Sequence, residues 1–466
     1  MIDFSFISTD SRMIKLGGTF VAITGMHHDG RAFIEDAISN GARKIILEAP
    51  RLETHHPHVD YEYVENARLT LCKLARQACP YQPEKLVAVT GTNGKSSVAY
   101  FYNQLLTLCS YKTASIGTIG VYVGNQQQVT ESLTSPDALS LHQLLTSLYE
   151  QGVSHAIVEA SSHGLDQYRL HSANLTAAAF TNLTPDHLDY HQDFNSYFTA
   201  KKKLFSEVLP QNRIAILNAD IGQYDELALL CKERRQKIIS YGLAGKDIKL
   251  LSKLNNRLKI SLWGREHELI FPLLGDFQVA NALCALGLAL ACGLNSDELL
   301  MALSKLHSAP GRLEQIATYN EAKIIIDYAH TKDALVNILT TLRKECPGKL
   351  HLVIGSGGDR DLRRRVELAQ VANVYADNTI ITDDNPRSEP PEIIRQQMLT
   401  HCPNALEIPG RAIAIAAAVK QLQKGDILVI AGKGHENYQI IGNEKLYFSD
   451  KDEVLRAMSN LKKTVM

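Results

Sequence analysis

Apolar residues along this chain fall into short runs separated by longer amphipathic stretches, the pattern of strands alternating with helices. Leu86-Val-Ala-Val, rich in β-branched residues, predicts a buried strand. Val98-Ala-Tyr-Phe-Tyr and Leu105-Leu106 then predict a helix opening near Lys95. Upstream, Thr19-Phe-Val-Ala-Ile and Lys44-Ile-Ile-Leu-Glu read as strands. Ala32 to Gly41 reads as a helix ended by Asn-Gly, His55 to Tyr63 as a connection, and Ala67 to Ala78 as a helix. Pro80 and Pro83 mark a linker ending at Glu84.

Downstream, Ala156-Ile-Val-Glu-Ala, Ala177-Ala-Ala-Phe-Thr-Asn and Ile214-Ala-Ile-Leu-Asn continue the strand pattern. Leu258-Lys-Ile-Ser-Leu-Trp and Glu268-Leu-Ile-Phe-Pro predict a more exposed antiparallel hairpin. Phe277 to Leu303, rich in Ala and Leu, predicts helix. Ala309-Pro-Gly-Arg is a natural boundary, after which the pattern restarts. Ile324-Ile-Ile-Asp, Leu350-His-Leu-Val-Ile-Gly, Thr379-Ile-Ile-Thr-Asp and Ile427-Leu-Val-Ile-Ala-Gly are strand candidates with helical segments between them. The expected fold is therefore α/β in three domains. Residues 1–84 form a small N-terminal α/β domain, 85–308 a central P-loop ATPase-like domain with a mostly parallel sheet, and 309–466 a C-terminal Rossmann-like domain.

A length of 466 residues, 45% apolar and 21% charged, is ordinary for a globular protein of this plan. A formal net charge of −1 gives no global field favouring nucleic acid or an acidic membrane. No apolar run approaches the ~18 residues of a membrane span. Met1-Ile-Asp-Phe carries no basic region followed by an apolar core, so a cytoplasmic location without membrane insertion is expected. The eight cysteines are scattered with no Cys-x-x-Cys pair, which favours free, reduced core thiols over metal sites.

The candidate chemistry sits at strand ends. Thr90-Gly-Thr-Asn-Gly-Lys-Ser-Ser follows one strand and opens a helix, the layout of a phosphate-binding loop. Backbone N–H groups suit an anion, Lys95 supplies a charge, and the Ser96 hydroxyl can reach Mg²⁺. Val89 stands where the general pattern has its first glycine, so the motif is a variant; its alternative is a glycine turn with a surface lysine. Glu159-Ala-Ser-Ser-His-Gly, with Gln167 and Arg169, and Thr181-Asn-Leu-Thr-Pro-Asp-His-Leu-Asp-Tyr-His end two further strands. Glu159 could hold Mg²⁺ beside phosphates, whereas His187 would be an unusual ligand and by position alone reads more readily as a structural hydrogen bonder. Lys201-Lys-Lys reads, on composition, as a solvated basic helix face. In the last domain, Arg360 and Arg387 could grip a carboxylate, and Asp384 or Glu436 an ammonium, as in a pocket for an amino acid. The alternative is a set of caps and surface ion pairs.

These motifs, in this order over essentially the whole chain, resemble the Mur ligases, and among them the UDP-N-acetylmuramoyl-tripeptide synthetases of peptidoglycan synthesis. The resemblance rests on Thr90 to Ser97, Glu159-Ala-Ser-Ser-His-Gly-Leu, Thr181 to His191, Asp327-Tyr-Ala-His and Gly432-Lys-Gly-His-Glu. It implies a monomeric, cytoplasmic ligase acting on small molecules. ATP would phosphorylate the D-Glu γ-carboxylate of UDP-MurNAc-L-Ala-D-Glu, and an incoming amine would displace the phosphate, with Mg²⁺ as cofactor. It implies one domain each for UDP, ATP and the amino acid.

Residue by residue, the resemblance assigns Ser11 and Met26-His27-His28 to UDP, and Thr134, Ser135, Ser161, Gln167 and Arg169 to the muramoyl-peptide. It assigns Gly91, Thr92, Asn93, Gly94, Lys95, Ser96, Ser97, Asn281, Arg312 and Asp327 to ATP, and Ser96, Glu159 and His187 to Mg²⁺. Lys201 matches a lysine carried as a carbamate; with Lys95 and His187 it would serve catalysis. Arg360, Asp384, Asn385, Pro386, Arg387, Gly432 and Glu436 would bind meso-diaminopimelate, whose second carboxylate Arg387 can pair. L-lysine or another amino acid is the alternative within the family. A folylpolyglutamate-synthetase-like activity and a non-catalytic nucleotide-binding scaffold are others. The separate N-terminal domain and the tetrad ending in Arg387 weigh against the former, and intact Lys95, Glu159, His187 and Lys201 against the latter. The sequence departs from the family's pattern at Ser135, Gln278, Lys332 and Val366.

Overall fold

The structure is a computed structural model describing residues 6–25, 28–129 and 133–465. The chain divides into two compact units, residues 1–271 with 280–305, and 272–279 with 306–466. The first holds a small N-terminal sheet and a large central one, and the second holds a six-stranded mixed sheet and a separate hairpin.

The N-terminal sheet is all parallel, in the order Ile7–Ser8, Thr19–Ala22, Lys44–Leu47, Asp60–Tyr63. Its last strand lies inside the expected connection His55 to Tyr63. Alternating Asp-Tyr-Glu-Tyr, with no buried residue, gave no apolar run to read. The expected helix from Ala32 is a 3-10 turn, Gly30–Phe33, running into Ile34–Ser39. The helix Ala67–Ala78 forms as expected, with the Asn66 side chain accepting from Leu69 N–H at its start.

The central sheet places Lys85–Thr90 between His155–Glu159 and Ala177–Phe180, parallel to both. Thr113–Gly117 lies beyond the first neighbour; Ile214–Asn218, Lys237–Gly242 and Ile248–Leu254 lie beyond the second. The chain leaving Lys85–Thr90 returns as Thr113–Gly117 on one side, and the chain leaving Ala177–Phe180 returns as Ile214–Asn218 on the other. The C-terminal ends of these adjacent strands therefore flank a topological switch point, where open α/β sheets bind ligands. The hairpin Arg257–Leu262 with Arg265–Ile270 forms as expected and extends the sheet antiparallel. The long helical stretch expected from Phe277 is two helices, Asp276–Ala291 and Ser296–Leu303, broken at Gly293, which adopts positive φ.

In the second unit the strand order is Glu314–Tyr319, Ala322–Asp327, Ile427–Ala431, Leu350–Ile354, Asn378–Ile381, Leu406–Glu407, parallel except for the first pair. Period-two alternation splits its core. Ile325, Leu352, Ile354 and Val429 pack with Leu335, Leu339, Leu368 and Ala372 on one face, and Ile324, Ile326, Val353, Leu428 and Ile430 pack with Ala414, Ile415 and Val454 on the other. Lys332, where the family has proline, is the first residue of the helix Lys332–Lys344. That position is one proline fits because its N–H is not needed, so lysine there leaves the helix start intact. Among the described residues no helix is long and apolar enough to cross a membrane. All eight cysteines are free, six of them buried.

His142, on the helix Ala138–Glu150, is fully buried and neither ring nitrogen has a hydrogen-bond partner. Burial first, and then the charge of Arg76, lower its pKa from 6.5 to about 4. Above pH 6.5 the ring is neutral in folded and unfolded chains alike. As pH falls from 6.5 towards 4, only the unfolded chain takes up the proton, so stability is lost across that window. His142→Leu should therefore lose less stability between pH 7 and pH 4.5 than the parent, by about 2 kcal/mol. Urea unfolding at the two pH values measures this; equal acid losses in both proteins would contradict it.

Candidate active site

The loop after Lys85–Thr90 is shaped by what it packs against. Gly91 has φ +143°, and a Cβ there would lie 1.9 Å from Thr181 Oγ1. Only glycine combines that backbone with that contact. Thr92 N–H donates to the Asn182 carbonyl, Thr181 Oγ1 donates to the Asn93 carbonyl at 2.6 Å, and Asn93 N–H donates to Asn182 Oδ1. The loop thus closes against the neighbouring strand end, and the helix Lys95–Leu108 starts with Gly94 as its cap. The Asn281 amide packs over Gly94.

Two lysines meet inside this loop. Lys95 Nζ donates to the carbonyls of Gly91 and Thr92, at 2.9 and 2.8 Å. Lys201 Nζ donates to the same Gly91 carbonyl at 2.7 Å. Lys201 is 1% exposed and lies 4.5 Å from the centre of the Tyr197 ring. The solvated basic face expected from composition is therefore wrong for Lys201. Lys202 and Lys203 are half-buried, with side chains 26% and 18% exposed, and pair with Glu226 and Asp166. Burial, and then the charge of Lys95, push the Lys201 pKa well below its ordinary value. An amine in that state is uncharged more of the time and nucleophilic.

Glu159 is fully buried and its carboxylate accepts from Ser96 Oγ at 3.0 Å, from Thr118 N–H at 2.9 Å and from Thr118 Oγ1 at 3.2 Å. A carboxylate beside a hydroxyl is a hard-oxygen donor set of the kind Mg²⁺ takes, so Ser96 and Glu159 fit that ion. His187 sits at φ +53° with its ring 4.9 Å from His163. Burial, His163, Lys95 and Lys201 hold its pKa down, with Asp186 opposing, so it presents a neutral imidazole. Among the described residues no three His, Cys, Asp or Glu side chains converge as a metal cluster; Mg²⁺ usually takes one or two carboxylates and completes its shell with water and phosphate oxygens.

Thr118 was not legible in the sequence, yet it joins two predicted groups. Its hydroxyl lies 2.9 Å from Thr134 Oγ1 while also reaching Glu159. Ser135 Oγ donates to the Glu159 carbonyl, accepts from Ser161 N–H and lies 3.1 Å from Ser161 Oγ. Arg169 donates to the Ser135 carbonyl and to Gln167 Oε1, and Gln167 donates to Tyr190. Thr134, Ser135, Ser161, Gln167 and Arg169 thus form one network. Gln167 and Tyr190 open into a cavity of about 660 Å³ also lined by Thr24, Gly25, Arg68, His163 and Asp189. Ser11 is buried near the first strand, its carbonyl accepting from Asn40, and His28 is exposed. Met26 and His27 lie outside the described residues.

The second unit carries the remaining candidates. Asp327 is buried, accepting from Leu313 and Ala329 N–H, and burial raises its pKa to about 6 against the pull of Arg312. Arg312 stacks on the Tyr328 ring at 4.4 Å. Asp384 and Asn385 are buried just after the strand Asn378–Ile381. A Cβ on Gly358 would lie 1.9 Å from the Pro386 carbonyl oxygen, so the glycine turn before Arg360 seats the Asp384–Arg387 turn directly on itself. Arg387 adopts φ +52°, pinned by its N–H on the Ile440 carbonyl, and its Nη1 donates to the Gly358 carbonyl at 2.8 Å. Arg360 is exposed. Lys433, fully buried, donates to Asn385 Oδ1 at 3.1 Å and Glu436 Oε2 at 3.3 Å, a link the sequence did not disclose. Burial, and the neighbouring Asp384, raise the Glu436 pKa despite Lys433.

Comparison with known proteins gives this arrangement a lineage. Residues 3–78 match the Mur ligase family catalytic domain, 89–289 the Mur ligase middle domain, and 311–434 the Mur ligase glutamate ligase domain. The UDP-N-acetylmuramoyl-L-alanyl-D-glutamate--2,6-diaminopimelate ligase of Rhizobium meliloti (strain 1021) is 42% identical over 466 residues, covering 99% of this chain and 95% of its own. The protein of the same name from Bradyrhizobium diazoefficiens is 40% identical over 470 residues, covering 98% of this chain and 96% of its own. A solved structure of a ligase of that name superposes with a TM-score of 0.71 at 33% identity, covering 98% of this chain and 95% of that one. A chain matched over all three of its regions and along nearly its full length by these relatives belongs to the Mur ligase family.

Proposed function

We propose that this chain is an ATP-dependent ligase that joins meso-2,6-diaminopimelate to the D-Glu γ-carboxylate of UDP-MurNAc-L-Ala-D-Glu in peptidoglycan synthesis. The observation that carries the reading is the Asp384–Arg387 turn, which holds the buried Asp384 carboxylate and the Arg387 guanidinium on one rigid seat, in a chain of diaminopimelate-ligase kin. Residues 1–84 would take UDP, 85–308 ATP and the muramoyl-peptide, and 309–466 the amino acid, in a cytoplasmic monomer.

The γ-phosphoryl group of ATP passes to a γ-carboxylate oxygen, giving an acyl phosphate and ADP. The amine of diaminopimelate then attacks the acyl carbon, a tetrahedral intermediate forms, the nitrogen loses a proton and phosphate leaves. The chain's part is positioning and charge. Loop amides from Gly91 to Ser97 and the Lys95 ammonium hold the phosphates and offset charge developing on the transferred group. Ser96, Glu159 and His187 would hold Mg²⁺, which when bound neutralises phosphate charge. Asn281, Arg312 and Asp327 would hold the rest of the nucleotide. Ser11, Met26, His27 and His28 would bind UDP, and the Thr134–Ser135–Ser161–Gln167–Arg169 network the muramoyl-peptide.

Lys201 would act as a carbamate. Its uncharged amine adds to CO₂, forming a C–N bond and releasing one proton. The product is an anion, which attracts the Lys95 ammonium that shares the Gly91 carbonyl.

For the amino acid, Arg360 and Arg387 would take the carboxylate that lysine lacks, and Asp384, Asn385 and Glu436 the neighbouring ammonium, with Pro386 and Gly432 shaping the pocket. Arg387 keeps a carbonyl partner in the free protein, so lysine does not leave it wholly unpaired. Discrimination then rests on its remaining donors, about 1.5–3 kcal/mol for charge-assisted hydrogen bonds.

Phosphate release with ATP, UDP-MurNAc-L-Ala-D-Glu and each of meso-diaminopimelate, lysine, ornithine and glutamate tests the reading. Turnover should be greatest with meso-diaminopimelate; equal or greater turnover with lysine would overturn the specificity, and none with any amine would overturn the ligase. Arg387→Ala should lower kcat/KM for diaminopimelate roughly a hundredfold while leaving the KM for ATP within about twofold. Unchanged diaminopimelate kinetics would remove Arg387 from that role.

A further inference from the structure

Three buried arginines brace the turns around the amino-acid pocket. Arg365 donates to Glu389, Gln397 and the Gly357 carbonyl, and Arg395 to Asp383 and Glu407. Neither touches a residue assigned to substrate. Arg411 is different. It opens the helix Arg411–Lys420, and its side chain is 0% exposed. Its Nε and Nη2 grip both carboxylate oxygens of Asp450 at 2.6 and 2.8 Å, and Nη2 also donates to the Ala431 carbonyl at 2.9 Å. Asp450 is the first residue of the last helix, Asp450–Val465, and is itself 0% exposed. The remaining nitrogen, Nη1, makes no hydrogen bond and faces Asp384 Oδ2 at 3.9 Å.

Resting on the diaminopimelate reading, we propose that Arg411 is a positioning residue for amino-acid selection: clamped by Asp450, it holds the Asp384 carboxylate in place for the substrate ammonium. The chemistry of the pocket calls for such a group. Asp384 and Glu436 are two nearby carboxylates, and Asp384 disfavours the charge on Glu436. Lys433 offsets Glu436 and orients Asn385. Arg411 is the matching cation on the Asp384 side. At 3.9 Å it supplies charge without making a hydrogen bond to Oδ2, which leaves that oxygen available for an ammonium. Full burial keeps Arg411 off the substrate, so it works through Asp384. The Asp450 grip uses two of its three nitrogens and fixes the direction of the third.

The test replaces the pair by apolar residues of similar volume, Arg411→Met with Asp450→Leu, a change that buried ion pairs often tolerate without loss of stability. Melting temperature and KM for each of the three substrates are measured beside the parent. The double variant should fold and raise the KM for diaminopimelate about tenfold or more, with those for ATP and UDP-MurNAc-dipeptide within about twofold. Arg411→Lys, which keeps the charge but not the fork, should fall between. An unchanged diaminopimelate KM in the folded double variant, or three KM values rising together, would overturn the proposal. If the double variant does not fold, Arg411→Lys decides by the same readout: a selective rise supports the role and parental values overturn it. A parent that does not use diaminopimelate would instead overturn the pocket's assignment, which the parent arm reveals separately.

Discussion

Two lysine side chains share one carbonyl oxygen in the first unit of this chain, and much of that unit's chemistry depends on how that contact is resolved. Lys95 and Lys201 both donate to Gly91, in a place where Lys201 has almost no water. Burial and the neighbouring Lys95 disfavour charge on Lys201, and anions brought to this place would offset the lysines. Phosphate would supply charge on the Lys95 side, and CO₂ addition would convert Lys201 itself into an anion. The backbone that creates the contact is equally constrained. Gly91 must hold φ +143° against Thr181, which the parallel sheet places one strand away at the switch point. The loop that lacks the usual first glycine is thus held by its neighbour strand as well as by its own sequence.

The second unit meets a related difficulty with opposite charges. Two carboxylates, the buried Asp384 and the half-buried Glu436, are kept beside buried cations, Arg411 and Lys433. Such pairs add little net stability, because desolvation offsets much of the attraction. Their use lies in orientation. The Asp384–Arg387 turn is fixed by Gly358 below and by backbone hydrogen bonds from the Ile440 region above. Reading a zwitterion requires carboxylates and guanidinium groups to stay where they are before it arrives.

Much of this was legible in the sequence because strands buried on both faces leave continuous apolar runs. Leu86–Val89, Ala177–Phe180, Ile324–Ile326 and Ile427–Ala431 all form where those runs predict. Strands that lack such runs were not legible. Thr113–Gly117 is made of small residues, Gln126–Val129 of polar ones, and Asp60–Tyr63 alternates without a buried face. The same limit hid the charges that matter most. Lys201, Lys433 and Arg411 look like surface residues in a sequence, since composition does not report burial. Lys201 was found only through family resemblance, and its neighbours Lys202 and Lys203 are half-buried and ion-paired, less exposed than composition suggests. Thr118 was missed because a lone threonine after a glycine carries no pattern.

The account turns on Lys201 becoming a carbamate, and that can be observed directly. Protein equilibrated with ¹³C-bicarbonate and examined by ¹³C NMR should show a carbamate carbonyl resonance that is absent from Lys201→Ala. Its intensity should correspond to a large fraction of one carbamate per chain near neutral pH. A spectrum with no carbamate, or with one that persists in Lys201→Ala, would contradict the account.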